Sequence, residues 1–413
     1  MRATHRDGDP NLTPAAMIAR AEALRPLLLE QQDEAEVRGY YSEQIHQEFL
    51  QAGFSRILQP RRFGGYEFDV PTFFKVMVEI SRGDPGTGWC LCLGSGHVLP
   101  LASHYSEQAQ KEIFGPDGDF RAPHRATPNG TATPVSDGYL VNGVWDYCSG
   151  IPYATHFMGT ALVTPEGQEP PPGKMIVVVV PQGSYTMLDD WGDGTTLGLQ
   201  ASGSHSVVLK DVFVPSHYTA PFDWLSAEPL TDTPGLRLHG NPMYLGRVAG
   251  FYQGELVSVQ VGAAKAALDE YECIMKTKKT LLPPRVQRLE HLDSQRSYGM
   301  AMGMIDAAEA ILMQVGEKYM THCRKAVEEG IPFTVADDMR LWGTLQQAGR
   351  LSWEATELLF RTASSGAAKK GQRLQRYFRD LAMYRGHVSA QIEELAPMFA
   401  KVQFGLSKGL FGD

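Results

Sequence analysis

The chain has 413 residues, 43% apolar and 21% charged, an ordinary globular composition with room for two or three subdomains. A formal net charge of −9 argues against a nucleic-acid or anionic-membrane partner, and no apolar run approaches the ~20 residues that span a bilayer. Residues 1–11 are polar and lack an apolar signal core, and five cysteines, an odd number, fit a reducing cytoplasm.

Residues 13–114 read as helical. Residues 15–29 are Ala/Leu-rich at period 3.6 and residues 73–80 are similar, while Pro-Arg-Arg-Phe-Gly-Gly-Tyr at 60–66 breaks the pattern as a turn. Cys90 and Cys92 form C-x-C with no second Cys/His pair at metal spacing, so they read as packed thiols and no metal is expected. Gly94-Ser95-Gly96-His97 lies in an apolar helical context, and no G-x-G-x-x-G opens a βαβ unit anywhere. The chain is therefore not expected to bind its own NAD(P)H.

From about residue 121 to 225 the pattern turns to strands. Residues 138–143 alternate between turn residues, 176–180 are a β-branched run and 207–214 are another, with 170–173 as an exposed loop. Between the last two runs, Leu197-Gly198-Leu199-Gln200-Ala201-Ser202-Gly203-Ser204-His205-Ser206 reads as a β-hairpin leading into Val212-Phe213-Val214-Pro215, its small residues free to face a flat ligand. From about Tyr244 the chain is helical again. Residues 256–275, 297–328 and 336–364 carry long apolar stripes suited to a bundle, and Pro283-Pro284 separates the first two.

Four segments carry chemistry. They are Gln59 to Tyr66 with Gly86-Thr87-Gly88-Trp89 and Gly96-His97; Gly143-Val144-Trp145-Asp146-Tyr147-Cys148-Ser149-Gly150; the Gly/Ser segment at 197–206; and Arg376-Tyr377-Phe378-Arg379-Asp380 with Tyr384-Arg385-Gly386-His387. In order and spacing they resemble the two-component, flavin-dependent (group D) aromatic monooxygenases, oxygenase components within the acyl-CoA dehydrogenase superfamily. The resemblance implies an α+β fold: an N-terminal helical domain (1–118), a central β-barrel-like domain on the flavin side (119–232) and a C-terminal four-helix bundle (233–413). It also implies reduced FMN or FAD and O2 as cofactors, an NAD(P)H:flavin reductase as partner, an aromatic or phenolic small-molecule substrate and a cytoplasmic homotetramer.

In that chemistry a flavin C4a-hydroperoxide delivers oxygen to an electron-rich ring. The protein excludes water, fixes the flavin and activates the phenol. The resemblance puts the Ser149 hydroxyl beside the flavin N5, Trp145 in the same layer, and His97 on the peroxide side. His387 becomes the partner of the phenol, with an ordinary imidazole pKa near ~6.5 suited to proton exchange. Ser202, Ser204 and His205 become flavin contacts, with His124 and His156 as further β-domain imidazoles. Arg376 and Arg379 become contacts to the cofactor of a neighbouring subunit. The bland readings are a turn-capping Ser149, a core Trp145, a core His97, a surface His387 and an Arg-rich solvated face.

Three departures keep alternatives open. Where many acyl-CoA dehydrogenases carry a glutamate base, this chain has Arg385, which cannot accept a proton. Glu255, one turn beyond the superfamily's other base position, keeps a dehydrogenase-type flavoenzyme in play, unless it is a helix carboxylate facing solvent or a neighbouring subunit. Arg247 is displaced by two from the family position after Asn241-Pro242-Met243-Tyr244, so whether it or Glu255 lines the site stays open. The adenine-clamping R-x-x-F-G segment is not evident near 276–287, which leaves FMN and loosely held FAD equal. An N- or S-oxygenating relative and a non-catalytic flavin-binding homologue are the remaining readings.

Overall fold

The computed structural model describes residues 11–165, 167, 174–192, 194–228 and 230–410. The expected loop at 170–173 and residues 1–10 of the polar N-terminus lie outside these. Six helices open the fold: α1 (Pro14–Arg38), α2 (Glu43–Ala52), α3 (Val70–Gly83), α4 (Pro85–Ser95), α5 (Val98–His104) and α6 (Glu107–Phe114). Their starts are written in the sequence. Thr13, Asp69 and Asp84 each accept a backbone N–H of the first turn of α1, α3 and α4, followed within two residues by a proline whose missing N–H costs nothing there.

Among the described residues seven strands follow: β1 (His124–Val135), β2 (Gly138–Trp145), β3 (His156–Val163), β4 (Met175–Pro181), β5 (Thr186–Met187), β6 (Val207–Pro215) and β7 (Thr219–Pro221). They form one mixed sheet in the order β5-β6-β2-β1-β3-β4-β7, with β1 and β3 parallel and every other pair antiparallel. One face closes over a core of its own around Trp145, Phe157, Val178 and Val207. Gly130, Gly143 and Gly159 lie against the Trp145 indole, where a Cβ would come within 2.2 to 3.1 Å of the ring.

The C-terminal part comprises α7 (Pro234–His239), α8 (Ala249–Thr277), α9 (Leu292–Glu328), α10 (Val335–Thr362), α11 (Arg373–Arg385) and α12 (Ile392–Gln403). The long helices α8, α9 and α10 pack with α11 as a four-helix bundle. The first two N–H groups of α8 are capped from another helix: Ala249 and Gly250 donate to the Asp338 carboxylate on α10 at 3.0 and 2.8 Å. Ion pairs Arg25–Glu79–Lys75–Glu309–Lys265 tie α1, α3, α8 and α9 together.

The segment at 197–206 is not the expected hairpin. It is an irregular loop entering β6, and tertiary contacts hold it. Ser202 bridges Tyr40, the Gly203 N–H donates to Gly39 O at 2.7 Å, and the Leu199 N–H donates to Asp380 Oδ1 at 2.6 Å. Gly198 lies flat on α11, where a Cβ would meet the Arg379 carbonyl oxygen at 2.3 Å. Because the obstacle is helix backbone, Gly198→Ala is expected to destabilise the protein by about 1–3 kcal/mol. A Gly198→Ala midpoint equal to wild type in a thermal melt would refute this packing argument.

Candidate active site

Strand β2 ends at Trp145, and two left-handed residues, Tyr147 (φ 53) and Gly150 (φ 90), turn the chain sharply. Trp145 therefore points into the β-core, fully buried, its indole N–H donating to Thr160 O at 2.9 Å. The expected flavin contact at Trp145 is replaced by packing. Ser149, past the turn, faces α4 instead.

There Ser149 Oγ accepts the Trp89 indole N–H at 3.0 Å and lies 2.7 Å from Ser204 Oγ, which is 2.6 Å from Ser202 Oγ. The loop is stitched to this turn by the Gly150 N–H, shared between Ser202 O and Gly203 O. The C-terminal segment reaches the other side of the same indole. The rings of Tyr384 and His387 each have centroids 6.0 Å from Trp89, and His387 stacks on Tyr384 at 14°. Three expected segments, some 240 residues apart from Ser149 to His387, therefore converge on one residue that the sequence reading quoted only within Gly86-Thr87-Gly88-Trp89.

His387 follows α11 rather than lying on it, and it is half-buried. Its Nδ1 is 2.7 Å from Ser389 Oγ and accepts the Ser389 backbone N–H at 3.2 Å. With Nδ1 accepting there, the ring proton sits on Nε2. Burial, then the Arg125 guanidinium on β1, hold its pKa down to about 4 rather than the expected 6.5. His387 is neutral at physiological pH.

His97 belongs to a second cluster. Its Nδ1 accepts the His124 backbone N–H at 2.8 Å and also lies 3.0 Å from Ala122 O, while its Nε2 is 3.7 Å from Glu255 Oε2. The His124 ring bonds the Tyr252 hydroxyl at 2.8 Å and Thr160 Oγ1 at 3.2 Å. Glu255 faces neither solvent nor a neighbouring subunit. It is 1% exposed, and its Oε1 has no partner. The carboxyl fits only because residue 96 is glycine, where a Cβ would stand 1.7 Å from Oε1. Burial drives the Glu255 pKa well above the carboxylate range, so it is held protonated. The first turns of α8 thus serve both clusters, Tyr252 and Glu255 toward His97 and Gln253 toward Tyr384, whose hydroxyl accepts the Gln253 amide at 3.0 Å. His156 lies apart, against Phe120 and Thr155.

Arg247 does not line this space. It is fully buried, with Nε donating to Phe333 O at 2.9 Å and Nη2 3.2 Å from Glu228. Within the single chain Arg376 and Arg379 are engaged in ion pairs with α1. Arg376 bonds Gln32 at 2.7 Å and pairs with Asp33 and Glu36; Arg379 bonds Glu36 at 2.8 Å. No local pattern signals these partners, which sit 340 to 344 residues away on α1.

Two observations bear on a flavin. His205 is 1% exposed, yet among the described residues neither ring nitrogen has a hydrogen-bond partner, and Asp190 lies 3.8 Å from its Nδ1. Beside it, Ser202 and Ser204 present a chain of hydroxyls to Ser149. Unspent donors and acceptors around small residues fit a flat heterocycle with hydrogen-bonding edges.

Asp380 links this loop to pH. Burial first, then Glu36, push its carboxyl up to about 7 from the usual 3.8. The folded state therefore binds this proton more tightly than the unfolded chain. Its stabilising contribution is complete below about pH 4 and is lost as pH rises to about 7. Asp380→Asn, which keeps the Leu199 acceptor, is expected to remove that part of the decline. Parallel stability–pH curves for the two proteins over this window would overturn the assignment.

Comparison with known proteins points one way. Residues 19–117 match the family model described as acyl-CoA dehydrogenase, N-terminal domain, and 256–392 match acyl-CoA dehydrogenase, C-terminal domain. The oxygenase subunit HsaA of a flavin-dependent monooxygenase from Rhodococcus jostii is 29% identical over 392 residues, covering 94% of this chain and 98% of that protein. The oxygenase component of an FADH2-dependent resorcinol hydroxylase from a Rhizobium species is 26% identical, covering 86% and 85%. The crystal structure of XiaF from a Streptomyces species, in complex with FADH2 and glycerol, superposes with a TM-score of 0.86 at 25% identity, covering 96% and 98%.

Proposed function

The chain belongs to the acyl-CoA dehydrogenase superfamily, among the oxygenase components of two-component flavin-dependent monooxygenases, and from that premise we propose how its residues hydroxylate an aromatic, phenolic small molecule. A separate reductase supplies the reduced flavin. Bound reduced flavin contributes the electrons that activate O2 for transfer to the ring. The rest of the chemistry falls to the protein.

The observation that carries the assignment of roles is the convergence on Trp89. Ser149, held from one side by the indole and from the other by Ser204, would present its hydroxyl to the flavin ring. Ser202, Ser204 and His205 would hold the adjoining edge. His387, pinned through Nδ1, offers Nε2–H to the phenol oxygen and draws negative charge onto it, which makes the ring more nucleophilic. His97 acts on the oxygen side, oriented by the His124 backbone and by Glu255. A protonated Glu255 enclosed by Gly96 and His97 is ill placed to serve as a dehydrogenase base.

The assembly is a homotetramer in this reading, supported by the apolar side chains a single chain leaves exposed, among them Leu281, Leu282, Leu292, Phe404 and Leu406. A cytoplasmic location is supported by free cysteines; among the described residues no helix is long and apolar enough to cross a membrane.

The test supplies the protein with photoreduced FMN or FAD, resorcinol and isotopically labelled O2, and in a parallel reaction with oxidised flavin and an acyl-CoA. One labelled oxygen atom in the product is the expected result. Oxidation of an acyl-CoA with no labelled phenolic product would replace this reading with the dehydrogenase one.

A further inference from the structure

We infer that Ser389, Tyr384 and Gln253 form a proton path from His387 to solvent, an inference that rests on the reading of His387 as the partner of the phenol. Behind the His387–Tyr384 stack lies a slot of about 10 Å³, the room one water needs. Gln253 and Gln346 line it. Each spends its amide N–H₂, on Tyr384 Oη at 3.0 Å and on Ser389 O at 2.9 Å, and each leaves a buried Oε1 with no partner. Two acceptors without donors, on side chains 2% and 5% exposed, fit a water that donates to both. Arg350 and Arg385 line the same slot, and Arg350 is exposed, so the slot opens to solvent.

The groups lie in sequence. His387 Nδ1 is 2.7 Å from Ser389 Oγ, Tyr384 Oη accepts the Gln253 amide at 3.0 Å, and burial raises the Tyr384 phenol pKa while Ser389 and Gln253 act to lower it. It also answers a difficulty in the site. The charged and titratable groups around His387 are Arg125 on β1, Tyr384 on α11 and Arg385 beside it. An imidazolium next to Arg125 in a buried place is costly, so His387 cannot store a phenolic proton as charge. A neutral imidazole can pass one, starting from the Nδ1–H tautomer, in which Nδ1 donates to Ser389 Oγ and Nε2 is free to accept. The phenol O–H bond breaks and its proton joins Nε2. Nδ1 gives its own proton to Ser389 Oγ, Ser389 gives its hydroxyl proton to Tyr384 Oη, and Tyr384 releases one to the slot water. Each residue ends neutral and the phenolate keeps the charge. The tautomer seen, with Nδ1 accepting from Ser389, is the one left after the proton has gone. Rearomatisation runs the path backward.

The experiment uses the full-length, flavin-free protein and 4-nitrophenol, whose ionisation is visible, with a pH-indicator dye reporting proton release in stopped flow. Wild type is expected to ionise the bound phenol and release a proton with a solvent deuterium isotope effect. Ser389→Ala and Tyr384→Phe are each expected to slow release by ~10-fold or more with phenol affinity little changed, and Ser389→Thr, which restores the hydroxyl, to recover it. His387→Asn abolishes ionisation altogether. Release at the wild-type rate in both Ser389→Ala and Tyr384→Phe overturns the path alone. Binding without ionisation in wild type overturns the phenol role of His387 as well.

Discussion

His387→Asn is expected to lower phenol hydroxylation by about 10²–10⁴-fold, the range spanned by loss of a positioned proton-transfer group. The substitution is chosen for geometry. The Asn carbonyl oxygen sits near the place of Nδ1 and can accept the Ser389 N–H, so the turn after α11 keeps its cap. What disappears is Nε2, the atom aimed away from Ser389. Stability and flavin affinity are therefore expected to stay near wild type while turnover collapses. Because burial and Arg125 hold His387 down to about 4, the wild-type rate should also show no inflection from this residue near pH 6.5. Single-turnover product formation, followed from pH 5 to 9, measures both. Wild-type rates in the variant would remove His387 from the chemistry.

Arg376→Met is expected to be the most damaging change outside the site, costing about 3–5 kcal/mol, the range for removing one partner of a buried ion pair. The guanidinium is 3% exposed and meets Gln32, Asp33 and Glu36 on α1, with the buried Asp84 carboxyl close enough to feel it. Its Nε lies 3.1 Å from Glu36 as a charge contact without hydrogen-bond alignment. Take it away and Glu36 depends on Arg379 alone, while Asp84 loses the cation that offsets its burial. Arg376→Lys should recover little, since one ammonium cannot reach three partners at fixed angles. Denaturant unfolding of the three proteins decides the matter. A methionine variant as stable as wild type would mean that these charges cancel without the arginine.

The long helices were legible because α8, α9 and α10 repeat their apolar stripe for seven turns or more with few breakers. β4 was legible because its four valines in succession suit a buried strand. β1 was not, since Pro128, Asn129, Gly130 and Pro134 interrupt any alternation and only the neighbouring strands make it extended. The loop at 197–206 looked like a hairpin because its glycines and serines are turn residues. Its actual shape is set by Gly39, Tyr40 and Asp380, far away in sequence.

The site divides the same way. His97, Ser149 and His387 were named from segments that resemble a known family, and the fold gathers Ser149 and His387 on one indole. Trp145 shares the motif of Ser149, yet the left-handed Tyr147 and Gly150 between and after them send the two side chains to opposite sides. The relation of Glu255 to His97 depends on a glycine at 96 and on how α8 crosses the end of α4, which no spacing rule encodes.

An enzyme that activates O2 leaks peroxide whenever substrate and cofactor fall out of step, and peroxide attacks thiolates, not thiols. Cys90, Cys92, Cys148 and Cys323 are all buried, and burial pushes each of their pKa values far up. Cys90 and Cys92 flank Leu91 on the helix that carries Trp89, so the sulfurs nearest the chemistry are also kept protonated. Only Cys273, on the outer face of α8, meets solvent. The packing that builds the core thus shields four of the five thiols from the side product of the chain's own reaction.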